Sequence, residues 1–399
     1  MISYLCQQRN SLLKIESSLG KLLKSPIVLD VETTTRNKGN PFDLSNKLII
    51  IGYGTNKNQI STTTFKSVIP ILNSASVIIG ANLKFDLNWL FRELNYNIQC
   101  PTWDIQLAEF ILSNQKWRFP DVATMAINYE VGHKLEYIKE NYWDKGIDTD
   151  QIPLDELIPY CDNDISIEYS IFLEQVERFR TTDRSKYALF RLQCNDQIVL
   201  QEMERNGIYY DEDESQKQAA ILEHSCYQIT EELIKLSGID SLNFNSNDDI
   251  SRLLYGGSKI YKVKLPVGFI KSGPNKGNVK YKLFEEVREF PRLVEPLKGS
   301  ELLKPGFYKT DIQTLLSLSP NKKAKRIIEL LIEYSKLQKI ISTYLIGLPK
   351  LREEMNWPPG KLYSTLNQCI AITSRLSSNK PNQQNFLKEA KKCCISRYN

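Results

Sequence analysis

Short runs of apolar, largely β-branched residues, each bounded by polar or turn-forming positions, mark the first part of the chain. Ile27-Val28-Leu29-Asp30-Val31, Leu48-Ile49-Ile50-Ile51-Gly52-Tyr53 and Val77-Ile78-Ile79-Gly80 read as buried strands. The third leads into Leu83, Leu87, Leu90, Phe91 and Leu94 at helical spacing. A further helical pattern opens near Pro153 and runs through Tyr169 to Val176. Strands alternating with helices predict an α/β layer architecture here. Near Thr181 the pattern changes. Helical periodicity then dominates, roughly over 187–205, 214–236 and 322–344, with Gly207 closing the first segment and Pro349 following the last. Between the second and third, the alternation of Ile260, Val263 and Leu265, then Val279, Tyr281 and Leu283, predicts a lysine-rich hairpin. The expected division is residues 1–180 and 181–399.

Composition narrows the classes. A 399-residue chain with 41% hydrophobic and 25% charged residues describes a soluble globular protein of two or three domains. It holds no apolar run long enough for a membrane span, and the N-terminus has no secretory pattern, so a cytoplasmic location without membrane partners is expected. Eight cysteines form no CxxC, and His133 and His224 are the only histidines. Any catalytic metal would therefore be held by carboxylates, which suits Mg²⁺ or Mn²⁺. The net charge of +5 is mild, but Lys259 to Lys282 contains seven lysines and no acidic residue. That stretch reads equally as a solvated loop or as a phosphate-binding one.

Three acidic motifs carry the candidate chemistry. In Asp30-Val31-Glu32-Thr33, strand alternation sends Asp30 and Glu32 to one face and Val31 to the other. Two carboxylates projected together are costly unless a cation neutralises them. Asn82 and Asp86, four apart where a helix opens, are expected on one helix face, and so are Tyr160 and Asp164. Each motif alone also reads as an ordinary surface feature: an acidic turn, a capped first turn, a tyrosine beside an exposed aspartate. Asp162 reads as a surface charge.

In order, DxE on a strand, NxxxD and YxxxD on helices resemble the DEDD-type 3′→5′ exonucleases, in the class with tyrosine in the last motif. The resemblance covers roughly residues 20–180 and includes Trp103-Asp104-Ile105-Gln106-Leu107-Ala108, where Asp104 reads as structural. It implies a ribonuclease H-like domain, a mixed sheet flanked by helices, and two divalent ions, Mg²⁺ or Mn²⁺, held by Asp30, Glu32, Asp86 and Asp164. Asp30 would bridge the ions, Glu32 and Asp164 would complete one shell, and Asp86 would serve the other. Tyr160 would orient the attacking water, while Thr33 and Asn82 would contact substrate.

The second half is similar to family A DNA polymerases, the bacterial DNA polymerase I type. Leu200 to Asp211, Leu242 to Asn247 and Glu333 to Lys339 resemble the entry to the polymerase domain and its thumb. Thr373-Ser374-Arg375-Leu376 with Pro381-Asn382-Gln383-Gln384-Asn385 resembles a segment that approaches primer–template DNA. This implies a mainly helical thumb and partial palm, with Arg375, Gln384 and Asn385 as DNA contacts. The family carries glycine where Ser374 stands and leucine where Gln383 stands. Glycine's place here implies a backbone conformation that Ser374 would disfavour. By the resemblance, the palm carboxylates lie outside this sequence, so polymerisation would need a second polypeptide carrying palm and fingers. The expected function is proofreading on a single-stranded 3′ end and a primer–template duplex during DNA replication. A free-standing DNA or RNA exonuclease with a helical nucleic-acid-binding appendage is the alternative.

Overall fold

The strand β1 (Pro26–Thr33) is the axis of a five-stranded sheet ordered β3-β2-β1-β4-β5, with β2 at Leu48–Gly54, β3 at Gln59–Thr62, β4 at Val77–Gly80 and β5 at Thr102–Asp104. β1, β2 and β3 pair antiparallel, whereas β1, β4 and β5 run parallel, so the sheet is mixed. These features come from a computed structural model that describes residues 16–396. Among them lie the helices α1 (Val68–Ser74), α2 (Lys84–Leu94), α3 (Ile105–Leu112), α4 (Val122–Asn128), α5 (Tyr137–Asn141), α6 (Leu154–Thr181) and α7 (Arg184–Asn206).

Alternation along the strands feeds two cores, one on each sheet face. Val28, Ile50, Val77 and Ile79 pack with residues of α3, α6 and α7. Leu29, Val31, Leu48, Ile51 and Ile78 pack with α1 and α2. Trp103 is fully buried in the middle of β5, with Phe172, Phe179 and Phe190 at 5.0, 5.6 and 4.5 Å between ring centroids. Its Nε1 donates to Gln175 Oε1 at 3.1 Å. Edge-on aromatic pairs contribute about 0.5–1.5 kcal/mol each beyond their buried area, so this cluster fixes α6 and α7 against the sheet.

The chain divides into two compact units, Met1–Glu212 with Leu348–Asn399, and Asp213–Gly347. The first unit thus continues past residue 180 and takes back the last stretch of the chain. Its added parts are a ladder of Ile208–Tyr210 with Lys361–Leu362 and Cys394–Ile395, and a second ladder of Thr365–Asn367 with Ser377–Asn379.

The second unit packs Glu212–Ser237, Asn247–Tyr255 and Lys322–Ile340 around Leu233, Leu253, Leu254, Ile327 and Leu331. The last of these helices continues into a π-helical turn, Ile341–Leu345. Gly257–Phe269 pairs antiparallel with Val279–Phe290, the hairpin that the alternation predicts, and both of its faces are largely exposed. Among the described residues no helix is long and apolar enough to cross a membrane.

Candidate active site

The site begins at the C-terminal part of β1. Asp30 and Glu32 extend the Val28 row on the face covered by α6, while Val31 enters the opposite core. Asp30 lies opposite Gly52 in the β1–β2 ladder. A Cβ at Gly52 would come within 2.4 Å of Cys161 Sγ and 2.7 Å of Ile165 Cδ1, so this glycine admits α6 directly over the carboxylates. Side chains on α6 at positions 160, 164 and 168 share a face by helical spacing. Asp86, in the first turn of α2, reaches back to β1 and accepts from the Val31 amide at 3.1 Å. Ligand atoms of Asp30, Glu32 and Cys161 all lie within 4.8 Å of one another.

Electrostatics link the four acids. Burial, then the charge of Asp164, pushes Asp30 up to about 6 despite the opposing pull of Lys134. Burial and the charges of Asp30 and Asp164 hold Glu32 well above the carboxylate range. Burial and the charge of Asp30 do the same to Asp86. Burial also raises Asp164, against a salt bridge of 2.7 Å from Lys134 Nζ to its Oδ2. The Tyr160 phenol is pushed up by burial and by Asp164, Glu32 and Asp30, so it stays protonated, and Trp143 packs edge-on against its ring at 5.7 Å. The Cys161 thiol, raised by burial and the same acids, faces Asp30 Oδ2 at 4.0 Å as a weak donor and not as a thiolate ligand.

Two site residues escape a reading of the sequence. Glu168, one turn beyond Asp164, is 3% exposed and raised by burial and by Asp30, Asp164 and Asp86. Burial alone would lower Lys134, yet Asp164, Asp30 and Glu168 push it up. Asp164 Oδ1 and Glu168 Oε2 are buried without a hydrogen-bond partner. The orphaned Asp164 oxygen and the all-acid set of Asp30, Glu32, Asp86 and Asp164 fit a hard divalent cation.

A pH dependence follows. Carboxylates raised in the folded chain favour folding in their protonated form. That contribution is full below an unfolded value of about 4 and is lost as pH rises through the folded values, about 6 for Asp30. Cation binding requires the deprotonated form. The gain in Tm on adding Mg²⁺ is therefore expected to grow between about pH 5.5 and pH 8, as scanning fluorimetry with and without EDTA would record. A gain independent of pH would contradict this electrostatic picture.

Other expected site residues are placed as follows. Asn82 lies outside α2, which starts at Lys84, and has a left-handed backbone (φ 54°). The shared helix face expected for Asn82 and Asp86 is therefore corrected: a residue with positive φ cannot sit in a helical turn. Thr33 is buried where β1 shifts register, and its Oγ1 donates to Thr34 O at 3.1 Å. Arg375, Gln384 and Asn385 are exposed, the first in the turn joining Thr365–Asn367 and Ser377–Asn379. Ser374 does adopt the left-handed conformation that glycine favours (φ 55°). Asp162 is no free surface charge, since Ser61 Oγ donates to it at 2.6 Å and ties β3 to α6.

Asp104 caps α3 by accepting from the amides of Gln106 and Leu107. Its Oδ2 also accepts from the Leu83 amide at 2.8 Å and from Gln197 at 2.5 Å, which fixes the start of α2. Lys84, two residues before Asp86, is buried and donates to Glu204 Oε1 at 2.5 Å and to the Leu366 carbonyl.

Known proteins resemble the chain over most of its length. The family description "3'-5' exonuclease" matches residues 9–174, and "DNA polymerase family A" matches residues 277–395. DNA polymerase I of Borreliella burgdorferi is 25% identical over 317 residues, 79% of this chain and 29% of that protein. DNA polymerase I of Lactococcus lactis subsp. cremoris is 22% identical over 384 residues, 93% of this chain and 37% of that one. The chain thus spans under two-fifths of these relatives. The POL domain of Pol1 from M. smegmatis, solved with DNA primer-template and dNTP, shares the fold at a TM-score of 0.63 and 15% identity. That likeness covers 95% of this chain and 56% of that one. Along the chain, a segment similar to 3'-5' exonucleases is thus followed by one similar to DNA polymerase family A.

Proposed function

We propose that this chain removes nucleotides from DNA 3′ ends by two-metal hydrolysis, as the proofreading part of a family A polymerase, acting in the cytoplasm. The observation that carries the proposal is the convergence of Asp30, Glu32, Asp86 and Asp164 beside a buried, protonated Tyr160. Asp30, Glu32 and Asp164 would hold one Mg²⁺ ion, with Asp30 shared and Asp86 serving a second. When bound, such ions activate water and neutralise charge on the attacking and leaving oxygens. The protein's own part is positional. β1 fixes Asp30 and Glu32, the Val31 amide fixes Asp86, and α6 presents Tyr160 and Asp164 together. The Tyr160 phenol donates to Asp164, and its oxygen can accept from a water, which would leave that water's lone pair free to face phosphorus. Thr33 and Asn82 are the substrate contacts proposed at the 3′ end.

DNA is the proposed partner on both units. Arg375, Gln384 and Asn385 are assigned to primer–template, and the exposed hairpin with its lysines to phosphates. Such contacts weaken as salt rises. The functional division at about residue 180 stands as part of the proposal, with the exonuclease chemistry before it and DNA-binding segments after.

Tyr160→Phe tests the assigned role most sharply. It keeps the ring and its packing but removes the hydroxyl. Turnover on a single-stranded oligonucleotide is expected to fall about 10²-fold, in the range for water activation by one side chain, with Mn²⁺ affinity unchanged. Unaltered turnover would remove Tyr160 from the mechanism.

A further inference from the structure

The carboxylate cluster holds one more acid and one more cation than the exonuclease reading uses. Asp30, Glu32, Asp86 and Asp164 balance two divalent ions in charge. Glu168 adds a fifth acid, and Lys134 supplies one positive charge beside it. Buried charges persist only when compensated, so the extra pair calls for an explanation. The two residues also differ in setting. Glu168 is fixed on α6 in the turn after Asp164. Lys134 lies between α4 and α5, in a segment without helix or strand from Val131 to Glu136, just after Gly132 with φ 131°.

We propose that Lys134 is the resident counter-ion of the cation-free site, bound to Asp164, and that Glu168 receives it when a divalent ion takes Asp164. The proposal rests on the reading of these acids as a metal site. Its geometry is on α6. Lys134 Nζ stands 2.7 Å from Asp164 Oδ2 and 5.8 Å from the centre of the Tyr160 ring. Asp164 and Glu168 are four residues apart on one helix face. Glu168 Oε2, buried and without a hydrogen-bond partner, is the acceptor left open for the ammonium. The transfer leaves Lys134 inside the cluster, so Glu168 gains a counter-charge while the divalent ion takes over the neutralisation of Asp164. Lys134 and Glu168 are thus positioning residues that set cation affinity in opposite senses.

The test is direct Mn²⁺ binding to the full chain by electron paramagnetic resonance, without nucleic acid. Lys134→Gln removes the competitor and is expected to tighten binding roughly tenfold, a size usual for coupled neighbouring charges. Glu168→Gln strands Lys134 on Asp164 and is expected to weaken binding by a similar factor. The double variant should return near wild type, a non-additive pattern that simple damage to the site would not give. Weakening in both single variants, additive effects, or no change in either would overturn the proposal. The parent reading is judged separately. Mn²⁺ binding by the wild type that is lost in Asp30→Ala supports the metal site whatever Lys134 and Glu168 do, whereas no binding by the wild type overturns both.

Discussion

Asp30→Ala is expected to lower Mg²⁺-dependent release of 3′ nucleotides by about 10³-fold or more, while the metal-free protein melts at the same temperature or higher. The first effect follows from the proposed shared position of Asp30. Losing a group that holds both ions forfeits several kcal/mol of charge stabilisation, and about 4 kcal/mol corresponds to that factor. The second follows from the environment of the carboxyl. Its value near 6 records the cost of placing a charge under α6 beside Asp164. Removing it relieves that repulsion. An aspartate kept for structure would behave in the opposite way, with lower Tm and retained turnover. Rate and melting curve together separate the two roles, as expected where a functional site is stabilised at the expense of the fold.

Glu204→Ala is expected to destabilise the first unit by about 3–5 kcal/mol, the usual consequence of leaving one member of a buried ion pair alone. The Lys84 and Glu204 side chains are only 8% and 6% exposed. Glu204 Oε1 accepts from both Lys84 Nζ at 2.5 Å and the Leu366 amide at 2.7 Å. Alanine would strand the ammonium and an amide inside the protein. For a unit of this size the Tm should fall by roughly 10 °C. The exonuclease should also weaken, because Lys84 leads into the turn that carries Asp86. Replacing both partners, as Lys84→Met with Glu204→Leu, should recover much of the loss, since apolar packing carries no desolvation cost. A fall in Tm too small to measure in the single variant would contradict this account of the anchor.

The division between what the sequence discloses and what it hides has a physical origin. Local periodicity was enough for β1, β2, β4, the long helices and the lysine hairpin, because each is set by residues close in sequence. It was also enough to align Asp30 with Glu32 and Tyr160 with Asp164. It failed at Asn82, whose positive φ breaks the helical spacing assumed for it. The edge strand β3, polar and half-exposed, and β5, three residues long, carry too little pattern to read.

Long-range partners are beyond any local rule. Lys84 meets Glu204 across 120 positions, and Asn356 donates to Asp43 across 313. This is why residues 348–399 return to the first unit unannounced. Lys134 sits in a segment with no periodicity, and Glu168 looks like any helix-surface glutamate until the sheet is placed beneath α6.

The most direct measurement uses a single-stranded DNA labelled at its 3′-terminal nucleotide, with a matching strand labelled at the 5′ end. The purified chain in Mg²⁺ should release the 3′ label as a mononucleotide from the start, while the 5′-labelled strand shortens stepwise. EDTA or Asp30→Ala should stop both. Retention of the 3′ label, or cleavage that persists in EDTA and in Asp30→Ala, would contradict a metal-dependent 3′→5′ exonuclease at Asp30, Glu32, Asp86 and Asp164.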